Sequence, residues 1–233
     1  MSSVELLREI RKSSTLAKLP RPIGPKLKFH KIYNFDNELG VYHVPFVFAD
    51  PSVVRLSQQL FLTGYGETTT ASKKTVPPAI QFAAYTILPS FMTVIMYYLV
   101  LIVFETLSSL TWGRSVLLKY PEFFSFGLFS RDGPSDQQLQ ETSFEIILRA
   151  KGYSSNSAPS SAAEPDVNIN TKVSGPEPGY VATPRIVVQS ALTLLEGKQK
   201  KTIPVGVLTP SVAYWQTSLI DRLQEVGIKF EQI

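Results

Sequence analysis

Ala79–Phe104, AIQFAAYTILPSFMTVIMYYLVLIVF, decides how the chain is read, because it lies within 30 consecutive uncharged residues between Lys74 and Glu105. A helix crosses the hydrocarbon core of a bilayer with about 20 apolar residues, so the length permits a span. A charge at mid-membrane costs about 2.5–3.5 kcal/mol, which gives a physical reason for excluding charge over such a length. Three readings compete: a buried core helix, a membrane span, and a hairpin that enters a lipid phase and returns.

Pro89 divides the stretch into AIQFAAYTIL and SFMTVIMYYLVLIVF, and the second part is somewhat short for a span. The segment after Glu105 interleaves Trp112, Tyr120, Phe123, Phe124, Phe126 and Phe129 with Arg114, Lys119 and Glu122, the composition of a membrane interface. Lys and Arg flank the stretch almost evenly, with Arg55, Lys73 and Lys74 before it and Arg114 and Lys119 after it. Even flanks favour a hairpin with both ends on the cytosolic side over a full span. The predicted anchor residues are Ile80, Phe82, Ile87, Leu88, Phe91, Ile95, Leu99, Ile102 and Phe104; Trp112, Tyr120, Phe123, Phe124 and Phe126 are predicted at the interface.

Composition narrows the rest. The 233 residues, 44% hydrophobic with 17 prolines, describe a globular chain with many interruptions. With no cysteine and only His30 and His43, disulfides, thiolate chemistry and a histidine zinc site are not expected, and no metal ligands are predicted. Net charge is +4, and eight positive charges fall between Arg8 and Lys31. That cluster suits anionic lipid headgroups or a solvated face, and no nucleic-acid motif accompanies it. The N-terminus shows no secretory signal and reads as a helix with Ser2 and Glu5 as a capping box.

The flanks read as α/β protein. Val44–Ala49 is strand-like, and Asp50-Pro51 is expected to cap and start a helix carrying Val53, Val54, Leu56 and Leu60. Residues 64–78 read as a loop whose Gly64-Tyr65-Gly66 completes no phosphate-binding pattern. SFEIILRAKGYS and DVNINTKVSG are predicted to pair as an antiparallel hairpin around a polar loop at 154–166. In GPEPGYVATPRIVVQSALTLLEG, Gly179 is expected to turn, Thr183 to cap, Pro184 to begin a helix and Gly197 to end it. IPVGVL is then expected as a strand, followed by a turn at Thr209-Pro210, an amphipathic helix stopped at Gly227 and a last strand, IKFEQI. The expected architecture is a mixed α/β sheet with packed helices, interrupted by a hydrophobic helical membrane insert. Residues 1–75 hold the basic segment and first part, 76–129 the insert, and 130–233 the remainder.

No nucleophile with its base and no G-x-S-x-G is visible, and Asp132, Asp136 and Glu141 read as solvated. The best site candidate is the turn at Gly179, Tyr180 and Thr183, where helix N-terminal amides could meet an anion; a purely structural turn is the competing reading.

LLKYPEFFSFGLFSRDGPSDQQLQETSF, KGYS, VSGPEPGYVATP and GVLTPSVAY with LIDRLQEVGIKF resemble the C-terminal half of saccharopine dehydrogenase-like oxidoreductases, in the branch found on lipid droplets. VPFVFADPSVVRLSQQ and PIGPKLK are similar to earlier segments of that family. The resemblance implies an N-terminal Rossmann domain with a Gly-rich NAD(P) site, a second α/β domain interrupted by a hydrophobic segment, and roles in lipid or glycolipid metabolism. It also implies that this chain begins beyond the Gly-rich fingerprint, so no cofactor-binding residues carry over. The chain alone is then expected to be catalytically inert: a short isoform or fragment on a lipid droplet or membrane, open to homodimerisation through its α/β part. Gly179, Tyr180 and Thr183 carry over as a substrate-side turn. A scaffolding protein of the droplet surface without redox activity is the alternative.

Overall fold

A computed structural model describes residues 18–21, 23–64, 77–125, 127, 132–154 and 164–233. The predicted Ser2–Glu5 capping box, the Tyr65-Gly66 loop, Phe126, Phe129 and most of the 154–166 loop lie outside them. The chain divides into two compact units, one of residues 1–27, 49–82 and 143–233, the other of residues 28–48 and 83–142.

The second unit is built on a three-stranded antiparallel sheet of β1 (Asn34–Asp36), β2 (Val41–Pro45) and β3 (Tyr85–Leu88), in that order. The β1–β2 turn closes because the Asp36 carboxylate accepts from the amides of Glu38 and Leu39 at 3.0 and 3.1 Å, and Gly40 takes φ +67°. β3 pairs with β2 through His43–Ile87 and Val44–Thr86, and Val44 is fully buried. The first limb of the apolar stretch is therefore a strand rather than a helical arm of a hairpin. Sequence reading missed it because a short run such as Tyr85–Leu88 has no period of its own inside a long apolar stretch.

Pro89 ends β3, and Ser90 begins α2 (Phe91–Ser109) with a reciprocal capping box: Ser90 Oγ accepts from the Thr93 amide at 3.2 Å, and Thr93 Oγ1 accepts from the Ser90 amide at 3.1 Å. After Leu110 the chain turns into α3 (Thr111–Lys119), then α4 (Pro121–Phe124) and α5 (Asp136–Glu141). Gly113 permits the α2–α3 elbow, since a Cβ there would overlap the Leu107 carbonyl.

In the first unit, α1 (Asp50–Leu62) starts with Pro51 in its first turn and buries Ser57, Leu60 and Phe61, an i, i+3, i+4 face. Asp50 is its first residue and not its cap; Ala49 holds that position without a side-chain bond. Leu60 and Phe61 pack with Val212, Leu208 and Trp215, and the Phe61 and Trp215 rings meet edge to face at 5.4 Å. The buried Ser57 and Thr209 hydroxyls lie 2.7 Å apart, each partnering the other.

The predicted hairpin forms as β4 (Ser143–Gly152) and β5 (Val167–Pro176), antiparallel from Ser143–Pro176 to Gly152–Val167, with β6 (Lys229–Gln232) on the other side of β5. Ala182, Leu223 and Ile228 form its core with Phe144, Val173 and Phe230. Gly175 gives way to Phe144 opposite it, whose ring would come within 2.6 Å of an added Cβ. There are thus two three-stranded sheets among the described residues where one was expected.

A π-helical turn, Pro178–Ala182, leads directly into α6 (Thr183–Gln199). Thr183 is inside the helical run and donates its hydroxyl to the Pro178 carbonyl at 2.6 Å, so it does not cap. Gly197 does not end α6 either; it is buried within the helix, where Ile203 occupies the space of a side chain. IPVGVL forms no strand: Pro204 has no N–H to give a ladder, Gly206 sits at φ +145°, and Val205 and Val207 point into solvent. The expected single helix after it is two, α7 (Pro210–Ala213) and α8 (Leu219–Glu225), separated by Gln216 at φ +55°. Gly227, at φ +89°, ends α8 as expected.

Candidate lipid-contact surface

α2 is apolar all round from Phe91 to Phe104, yet 6% of its most apolar 18-residue window is buried, through Val94 alone. A core helix of this composition would be mostly covered, and this one is not. By length and composition it is the one helix among the described residues apolar enough to cross a membrane.

The exposure has a pattern. Met92, Ile95, Met96, Leu99, Ile102 and Val103 are each at least 40% exposed and recur at i, i+3, i+4, i+7, i+10 and i+11, one continuous stripe. The other side of the helix meets its own unit. Phe91 packs on Tyr33 and Tyr42 with ring centroids 5.5 and 5.7 Å away, Val94 is buried, and the Tyr98 hydroxyl donates to the Ile32 carbonyl at 2.5 Å. A wholly apolar groove of about 420 Å³ runs along this seam, between Ile32–Tyr33 and the stripe residues Ile95, Leu99 and Ile102.

The far end is polar. Glu105 is exposed, and Thr106, Ser108 and Ser109 turn their hydroxyls back onto carbonyls of the preceding turn. The guanidinium of Arg114 donates from Nε to the Ser108 carbonyl at 2.6 Å, satisfying an end of α2 that has no later turn to bond. The uncharged part of α2 is therefore Phe91–Phe104, about 21 Å of helix. Beyond the elbow Trp112, Leu118, Tyr120 and Phe123 are 50–77% exposed, and Lys119 lies over the Tyr120 ring at 5.3 Å.

The predicted anchor residues separate accordingly. Phe91, Ile95, Leu99, Ile102 and Phe104 are on α2, Phe104 away from the stripe. Ile87 and Leu88 belong to β3, and Ile80 and Phe82 lie in an irregular segment where the Ile80 amide donates to Gln58 at 3.0 Å. Met92, Met96 and Val103, together with Ile32 and Tyr33, were not singled out in the sequence; a helical wheel begun at Ser90 places the first three on the stripe.

The turn at Gly179, Tyr180 and Thr183 has a different character. The Glu177 carboxylate accepts from the amides of Gly179, Tyr180 and Val181 at 2.8, 2.5 and 3.2 Å. Partial burial pulls its pKa upward, but the three donors outweigh that and hold it below the usual carboxylate value. The amides that could meet an external anion already carry one, so this turn does not suit a dinucleotide pyrophosphate. Tyr180 is 64% exposed beside it. The signal for Glu177 was an acidic residue directly before Pro-Gly at a helix start. Among the described residues no group of His, Asp and Glu could hold a metal ion.

Two small sheets with helices, and one exposed apolar helix, define a mixed α/β protein. Over 227 residues the chain is 37% identical to the human saccharopine dehydrogenase-like oxidoreductase, covering 97% of this chain and 50% of that protein. It is 30% identical over 246 residues to a probable mitochondrial saccharopine dehydrogenase-like oxidoreductase of Arabidopsis thaliana, covering 100% of this chain and 54% of that one. A lipid droplet localized protein of Caenorhabditis elegans is 28% identical over 200 residues, 84% of this chain and 44% of the other. The chain belongs to the saccharopine dehydrogenase-like oxidoreductase family, and it spans about half the length of the curated relatives it matches. No protein-family profile matches it. No solved structure matches it.

Proposed function

We propose that this chain is a lipid-droplet- or membrane-associated member of its family, and that the surface of α2, α3 and α4 is its lipid anchor. The observation that carries the reading is the exposed stripe from Met92 to Val103, which no described residue of its own unit covers. The lipid droplet localized relative supports it. In this reading the two sheets form a substrate-side or dimer-forming part. NAD(P)-dependent redox chemistry, with its bearing on lipid or glycolipid metabolism, on this reading rests on residues other than these; at the Gly179 turn the free amides are already taken by Glu177.

Flotation of lysate from lipid-loaded cells expressing the chain, after an alkaline carbonate wash, tests the anchor. Recovery with droplets is expected; a chain that stays in the soluble fraction ends the proposal. Calorimetric titration with NADPH tests the second part, and tight binding by the chain alone would defeat it. A scaffold of the droplet surface with no redox partner shares the first result and differs if the full-length relative, under the same conditions, also fails to bind NADPH.

A further inference from the structure

Resting on that reading, we propose that α2 neither crosses the lipid nor dips into it as a hairpin, but lies in the plane of a phospholipid monolayer. Met92, Ile95, Leu99, Ile102 and Val103 then sit at the acyl boundary while Ile32, Tyr33 and Tyr42 pack against the opposite side. Three observations lead there. The uncharged helix, Phe91–Phe104, is about 21 Å long, against about 30 Å of hydrocarbon, so a span falls short by about a third. Its start is tied through Ser90 to β3, and an open three-stranded sheet cannot follow it into hydrocarbon, where unpaired edge groups find no partner.

The elbow excludes the hairpin. The deepest point of a hairpin made by α2 and α3 would be Glu105–Arg114, which holds both charges and four hydroxyl side chains. Placing that elbow at headgroup level and the stripe just beneath it satisfies both. An in-plane helix with water above it requires a polar upper face. α2 needs none, because Val94 is buried there and Phe91 and Tyr98 are engaged with Tyr33, Tyr42 and Ile32. That accounts for the apolar residues Phe91, Val94 and Tyr98 off the stripe, while Phe104 at the far end is 56% exposed.

The absence of cysteine makes the test clean. Single variants Met92→Cys, Leu99→Cys and Val103→Cys on the stripe, Tyr97→Cys and Leu101→Cys on the other side, and Ser109→Cys at the elbow are labelled with a polarity-sensitive fluorophore. Each is bound to triacylglycerol droplets coated with phosphatidylcholine and quenched by lipids spin-labelled at shallow and deep chain positions. Circular dichroism matching the parent qualifies each variant. The proposal predicts one shared depth of about 5–10 Å for Met92, Leu99 and Val103, weak quenching at Tyr97 and Leu101, and a shallow Ser109. A depth difference of about 10 Å between Met92 and Leu99 would indicate a tilted span and overturn it. A Ser109 deeper than Leu99 would overturn it in favour of the hairpin. In either of those cases the lipid reading survives, whereas failure of every variant and of the parent to float with the droplets removes both.

Discussion

The sheet of β4, β5 and β6 mixes apolar with charged residues and buries part of its apolar set, whereas the helix α2 is far more apolar and leaves most of its side chains open. Phe144, Val173 and Phe230 meet Ala182, Leu223 and Ile228, and the sheet's other face carries charge, with Lys172 between Glu145 and Glu231 at 3.9 and 3.7 Å. α2 is richer in large side chains but buries one of them. Apolar content alone does not decide between core and lipid surface; the decision comes from whether the chain supplies a second layer with matching period.

Changes to the sheet core should therefore cost stability and leave lipid recovery intact, and the largest is Ile228→Ala. Ile228 is 2% exposed, and its truncation is expected to cost about 2–5 kcal/mol in chemical denaturation, with unchanged flotation. A parallel loss of flotation would break the comparison. Gly175→Ala adds a methyl within 2.6 Å of Phe144 and 2.9 Å of Ile228, and should cost about 1–3 kcal/mol through overpacking, read in the same denaturation curves.

Smaller effects sharpen it further. Lys172→Ala removes two partly exposed ion pairs and should change stability by about 0–1 kcal/mol, less in high salt. Glu177→Gln acts through pH. A carboxylate held below its ordinary value stabilises the fold above that value, and the contribution disappears as pH falls through the depressed one. The parent's melting temperature should therefore fall on acidification below about 4.5, and the Gln variant should show less of that fall. Identical pH profiles for the two would show that the three amide bonds contribute nothing to the fold.

Much of this was legible in the sequence. The β4–β5 hairpin follows from the alternation of Val167, Ile169, Thr171 and Val173, the break at Pro89 from proline's missing donor, and the family from the Phe-Phe-Ser-Phe-Gly and Pro-Gly-Tyr-x-x-Thr segments. What stayed hidden depended on partners distant in sequence. Tyr85–Leu88 becomes a strand because Tyr42–Pro45 pairs with it, and Gly197 is tolerated inside α6 because Ile203 fills its place. Glu177 was readable as an acidic helix start, but its capture of three amides needs the π turn, which no local pattern announces. The apolar helix was legible as composition; the polar elbow that Glu105 and Arg114 bracket was not.

The most direct test of the central claim sets the two regions against each other on one lipid surface. Leu99→Asp lies on the α2 stripe, and Ile146→Asp lies on the β4–β5–β6 sheet; both side chains are 53% exposed, so neither change should unfold the chain. Binding of each purified variant to phosphatidylcholine-coated triacylglycerol droplets is measured by flotation beside the parent. The account predicts that Leu99→Asp loses about tenfold or more in droplet affinity, about 1.4 kcal/mol, because a charge replaces an apolar side chain at the acyl boundary, while Ile146→Asp binds as the parent does. Equal binding by all three, or a greater loss for Ile146→Asp, would contradict it.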